Sequence, residues 1–143
     1  MIAAALSHYL DAQDLVAYEP EGGGDCFVHH LPDEPEEAVS VTAYGANAVT
    51  ASDALGYDEP TVQVRVRGTQ DPSSGEARAQ AIYGALQGLT HVTMAAGTEH
   101  EVRVISVDCP QTGPIYMGAD ERGRHEYVVN TALHVRAETA HRE

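Results

Sequence analysis

Apolar side chains in the opening residues recur at helical spacing. Ile2, Ala5, Leu6, Tyr9 and Leu10 form one stripe with polar residues between them, which predicts a short amphipathic helix ending near Asp14. The run Glu19-Pro20-Glu21-Gly22-Gly23-Gly24-Asp25 breaks the chain, and Cys26 to His30 then reads as a short strand bounded by Leu31-Pro32. From Val39 the period changes to two. Val39, Val41 and Ala43 alternate with Ser40, Thr42 and Tyr44, as a strand with one buried face requires. Gly45 to Pro60 reads as a long loop. Beyond it Val62, Val64 and Val66 alternate with Gln63, Arg65 and Arg67, giving a strand from Thr61 to Arg67 with an apolar face and a face that carries two arginines.

Asp71-Pro72-Ser73-Ser74-Gly75-Glu76 marks a helix start. Asp71 or Ser73 is a suitable cap, Pro72 fits the first helical position, and Ser73-x-x-Glu76 matches a capping box. Ala77, Ala81, Ile82, Ala85, Leu86 and Leu89 make its apolar stripe, and Gly88 is placed to end it. Leu89 to Met94 and Glu101 to Cys109 follow as strands, separated by the turn Ala95-Ala96-Gly97-Thr98. Val102, Val104, Ile105 and Val107 depart from strict alternation, which predicts a bulge or burial on both faces. Pro110 to His125 reads as a loop or arm. The last strand runs from about Glu126 to Arg136, with Tyr127, Val129, Thr131, Leu133 and Val135 on one face. Residues 137–143 read as a frayed tail.

Helix, strands, helix, strands is the order of an α+β domain: a mainly antiparallel sheet covered by two helices, with long loops or an extended β-hairpin arm. A chain of 143 residues forms one such domain, 1–143. Loops as long as Gly45 to Pro60 and Pro110 to His125 exceed what a compact domain needs, which places function in them.

Composition narrows the chemistry. The chain has 22 Asp plus Glu against 8 Lys plus Arg, a net charge of -14, and all the bases are arginine. Without lysine there is no P-loop lysine and no Schiff-base amine. No arginine precedes Arg65, so the first part of the chain is acidic throughout and repels nucleic acid rather than gripping it. With Trp 0 and Phe 1, the core must be built from Val, Ile, Leu, Ala and Tyr. Cys26 and Cys109 are distant and form no Cys-x-x-Cys pair, as expected of free thiols in a reducing compartment. The apolar N-terminal run is brief and lacks a basic region, unlike a signal peptide.

Catalytic patterns fail one by one. His29 and His30, as strand neighbours, point to opposite faces and do not share an ion. His100-Glu101 and His125-Glu126 begin like zincin motifs, but Val104 and Val129 stand where the second histidine is needed. Ser73-Ser74-Gly75 is no nucleophile elbow, and the carboxylates around Pro32 and Pro35 read as a solvated turn. Gly22-Gly23-Gly24 opens no helix, and Asp25 would repel a phosphate. The residues therefore predict a protein that is not an enzyme, with no metal and no cofactor. Arg65 and Arg67 could contact nucleic acid, but in so acidic a chain they are read in preference as partners of carboxylates, including those of a neighbouring subunit.

The most distinctive stretch is Gly113 to Asn130, GPIYMGADERGRHEYVVN. It resembles the tail-terminator or minor capsid proteins of long-tailed bacteriophages, in which a strand, a loop containing Pro, Gly and Asp, then Arg and an aromatic, lead into a final strand with an Asn. Pro114, Gly118, Asp120, Arg124, Tyr127 and Asn130 occupy those places, and the likeness extends more loosely through Thr61 to Gly88.

The resemblance implies a structural virion protein that forms a ring, typically a hexamer, at the head-proximal end of the tail. It would cap the tail tube, end tail polymerisation and present the joining surface to the head-side connector or neck protein. Its partners would be itself, the tail-tube protein and that connector, with no membrane. DNA would pass through an acidic lumen without specific binding. Assembly would take place in the host cytoplasm. On this reading Pro114 and Gly118 shape an arm, Asp120 and Arg124 pair within or between subunits, Asn130 satisfies buried backbone groups, and Tyr116 and Tyr127 join Arg65 and Arg67 as candidate interface or arm residues. A neck or head-completion protein is the alternative in the same class. An acidic monomeric inhibitor or DNA mimic is the alternative outside it.

Overall fold

A computed structural model describes residues 1–48 and 57–136 of the chain. Its elements are α1 (Ile2–Ala12), β1 (Cys26–Val28), β2 (Ala38–Ala48), β3 (Tyr57–Arg67), α2 (Pro72–Leu86), β4 (Thr90–Met94), β5 (Val102–Asp108), β6 (Ile115–Ala119) and β7 (His125–Arg136). The seven strands form one sheet of order β1-β2-β3-β7-β5-β4, with β6 also on β7. Every pairing is antiparallel except β1 with β2, so the α+β expectation holds.

Long β7 organises the sheet. One of its edges pairs with β3 over most of its length; the other is shared end to end by β6, opposite 125–128, and β5, opposite 132–135. Cross-strand partners point to the same face, so Val39, Val66 and Tyr127 line up, as do Val41, Val64 and Val129. These rows are buried under Leu6 and Leu10 of α1 and Ala79, Ile82 and Leu86 of α2, and with them they form one core among the described residues. The opposite face carries Ser40, Gln63, Arg65, Arg67, Glu126 and Asn130. Two helices on one face of the sheet thus explain the clean alternation of β3 and β7.

The long loop expected from Gly45 to Pro60 is corrected where it is described. Gly45 to Ala48 continue β2 and Tyr57 to Pro60 begin β3, paired as a hairpin after a bulge between Ala43 and Gly45; residues 49–56 lie outside the described residues. Gly, Ala and Asn have poor strand propensity, and it is pairing with β3 that holds them extended. The segment Pro110 to His125 is likewise not all loop, since it contains β6. The bulge expected in β5 is present, between Val104 and Ser106. The expected frayed tail, 137–143, lies outside the described residues.

Two local readings of α2 change. Asp71 is the N-cap, and its Oδ1 accepts from the Ser73 amide at 3.1 Å, so Ser73 is donor rather than cap. The buried stripe is Gly75, Ala79, Ile82 and Leu86, while Ala77 and Ala81 are exposed. The helix is rotated because Gly75 faces the sheet: a Cβ there would stand 3.2 Å from Gly68 Cα and 3.3 Å from Tyr127 Cδ2. Gly88, at φ +79, follows the helix end as expected. At the other edge, β1 stops at Val28, and His29 at φ +66 leaves the strand, so the two histidines are not strand neighbours.

Candidate functional site

The distinctive stretch Gly113 to Asn130 folds into β6, a tight turn and the first half of β7. The turn is built by Asp120. Its Oδ1 accepts from the amides of Arg122 and Arg124, both at 2.9 Å, and its Oδ2 accepts from Arg124 Nε at 2.8 Å. Burial opposes the charge of Asp120, but the hydrogen bonds from the Arg124 and Arg122 amides and the Arg124 guanidinium outweigh it and hold the carboxyl below its usual range. Gly118, at φ +93, sits beside a bulge at Met117 that turns β6 away from a regular ladder. Pro114 lies just before the strand.

Arg124 is only 3% exposed. Besides Asp120 it donates to the Asp33 carbonyl at 2.8 Å. Arg67, equally buried, donates to the carbonyls of Glu36 at 2.8 Å, Pro35 at 2.6 Å and Asp33 at 3.2 Å. Burial, and then the charge of Arg124, lower the Arg67 pKa. Both arginines thus clamp the turn Asp33 to Glu36 onto the open face of the sheet, and this clamp was not legible in the sequence because its acceptors are backbone carbonyls. Arg65 forms an ion pair with Glu126 across β3 and β7, and Arg122 stands 3.7 Å from Glu34. The four arginines line a cleft of about 470 Å³, but each is engaged within its own chain.

Tyr127 is buried, and its hydroxyl donates to the Pro72 carbonyl at 2.9 Å, fixing the start of α2 to the sheet. Burial, reinforced by Glu76, raises its pKa. The Asn130 side chain accepts from Gln63 Nε2 at 3.2 Å, so it serves a cross-strand side chain; its own carbonyl accepts from Gln111 at 3.3 Å.

Tyr116 differs from all of these. It is 53% exposed, with its hydroxyl 2.8 Å from His125 Nδ1 and its ring 5.3 Å from that of Tyr127. Ile115 and Met117 beside it are 40% and 48% exposed. A groove of about 460 Å³ separates β6 from α2, lined by Pro72, Glu76, Gln80, Pro114, Tyr116 and Tyr127. Ile115 and Tyr116 point to opposite faces of the strand, opposite Val128 and Tyr127, and Met117 is the bulge residue, so exposed apolar bulk surrounds the strand and suits it to a macromolecular partner. Ile115 and Met117 were missed because a short segment bounded by Pro and Gly carries no strand periodicity.

Chemistry is scarce elsewhere. Among the described residues no cluster of three or more His, Cys, Asp or Glu is placed to hold a metal. Cys26 and Cys109 are free and buried, and burial pushes each thiol up to about 11, with Asp25 adding to the shift at Cys26 and Asp108 at Cys109. Few thiolates are present at neutral pH. No described helix is long and apolar enough to cross a membrane.

No curated protein matches the chain. The family model described as bacteriophage tail terminator protein matches residues 9–136, which include the whole sheet, both arginine clamps and the β6 surface. The chain belongs to the bacteriophage tail terminator protein family.

Proposed function

We infer that this phage tail structural protein caps the completed tail tube, ends its polymerisation and presents the surface to which the head-side connector joins. It acts as a ring of like subunits at the head-proximal end of the tail. The observation that carries this reading is the family match across residues 9–136. Physical features support it. A terminator must hold a rigid shape between two large assemblies, and the sheet is braced on one face by helices and on the other by buried arginine clamps. It must also contact other proteins, and β6 offers a neutral, apolar strand for that purpose. The role is mechanical, with no catalysis and no cofactor.

The net charge of -14 fits a lumen through which DNA passes without adhering, since acidic walls and phosphates repel. Ring closure is heterologous, with two different patches of each subunit in contact. Adding the purified chain to polymerising tail-tube protein tests the capping role: tube elongation is expected to stop at substoichiometric amounts of this chain. Unchanged elongation at equimolar amounts would oppose the reading.

A further inference from the structure

Two stretches of open sheet edge share three properties, and together they define a joint between copies of the chain. The first is the outer edge of β6; the second is the outer edge of β2 beyond Val41, where β1 has ended. Among the described residues no strand pairs with either. At the start of the β2 stretch the His29 ring accepts from the Ala43 amide at 3.5 Å.

The first shared property is exposed apolar bulk. Apart from Met1, the large hydrophobic residues exposed among the described residues are Tyr44, on β2, and Ile115, Tyr116 and Met117, on β6. The second is a matching irregularity. Tyr44 is the extra residue of a bulge followed by Gly45, and Met117 is the extra residue of a bulge followed by Gly118. Bulges re-aim side chains, and here the re-aimed side chains are exposed apolar ones. The third is neutrality. The chain carries a net charge of -14, yet no charged residue occurs from Ala38 to Ala48 or from Cys109 to Ala119. Two copies repel wherever acidic surfaces meet, so neutral edges are where they approach at least cost.

Position completes the argument. β6 lies on the side of β7 away from β3, and the free β2 stretch lies on the side of β3 away from β7, so the two are on opposite margins of one sheet. Patches on opposite margins join head to tail, which is the geometry of a heterologous ring, whereas two patches on one margin would favour a closed pair. Of the other open edges among the described residues, β4 shares a margin with β6 and exposes Thr90, His91 and Thr93, and the three-residue β1 lies beside β2; neither exposes a large apolar side chain.

We propose that β6 of one copy packs against the outer edge of β2 of the next, with the bulge residue Met117 set against the bulge residue Tyr44. This inference rests on the ring reading above and specifies its interface.

Cysteine variants of the full-length chain, Tyr44→Cys and Met117→Cys, joined by a short bis-maleimide, test it against the parent chain as control. Each single variant alone is expected to remain uncoupled, their mixture to give heterodimers, and the double variant to give a ladder of higher species. In parallel, Met117→Glu is expected to weaken assembly about ten-fold or more while leaving the unfolding curve unchanged. A ring mass in sedimentation with no Tyr44–Met117 product would overturn the assignment and leave the ring standing. So would coupling of Met117→Cys to itself. A monomer mass at every concentration, together with no cross-linked product when tail tubes are added, would overturn the ring reading and this joint with it.

Discussion

Gly68 and Gly75 approach each other so closely that a Cβ on Gly68 would lie 2.5 Å from the Gly75 amide nitrogen. The end of β3 therefore meets the first turn of α2 backbone to backbone, and the Tyr127 hydroxyl locks the same place through Pro72. Gly68→Ala must separate the two elements and is expected to destabilise the protein by about 2 kcal/mol or more. Gly84, inside the same helix, has nothing within 4 Å of its added Cβ. Gly84→Ala is therefore expected to stabilise by about 1 kcal/mol, through helix propensity. Denaturant unfolding of the two variants should give shifts of opposite sign.

The two arginines that alternate along β3 should respond very differently to removal. Arg67 is buried and serves three carbonyls, so Arg67→Met strands those acceptors and is expected to cost about 3 kcal/mol. Arg65 is partly solvated in its pair with Glu126, its side chain 30% exposed, and Arg65→Met is expected to cost about 1 kcal/mol or less. Chemical denaturation curves of both variants check the ranking. Arg124→Glu would bring a carboxylate against Asp120 and Asp33, so a loss of assembly in that variant would report unfolding before it reported an interface.

Acid should weaken the turn at Asp120. Its folded pKa lies below the ordinary value of 3.8, so its charged form stabilises the protein at all pH values above that point, and the contribution is lost as pH falls through the folded pKa. Asp120→Asn lacks this dependence. Unfolding free energy measured from about pH 6 down to pH 2 should fall less steeply in the variant than in the parent. Parallel slopes would oppose the assignment.

How legible the fold was depended on whether a residue's role was set by its near neighbours. Val62, Val64 and Val66 announced β3 and its buried face because alternation is a local signal. Asp71, Pro72 and Gly88 likewise marked the bounds of α2. Which face of α2 is buried was not local: it follows from the approach of Gly75 to Gly68, and sequence favoured Ala77 and Ala81 instead. β6 was hidden for a similar reason, since Pro114, Met117 and Gly118 break any period and the strand exists only because β7 offers an edge. The stretch Gly113 to Asn130 carried the family resemblance, and the family match over 9–136 agrees with it. Its residues divide in the structure. Asp120, Arg124, Tyr127 and Asn130 serve the fold within the chain, whereas Tyr116, with Ile115 and Met117, faces outward.

The central claim is that this chain ends tail growth, and the tail-length distribution of particles assembled without it tests that most directly. Negative-stain imaging of such particles is predicted to show tails of uncontrolled length. Tails of normal length, detached from filled or leaking heads, would contradict the account and place the chain at the neck instead.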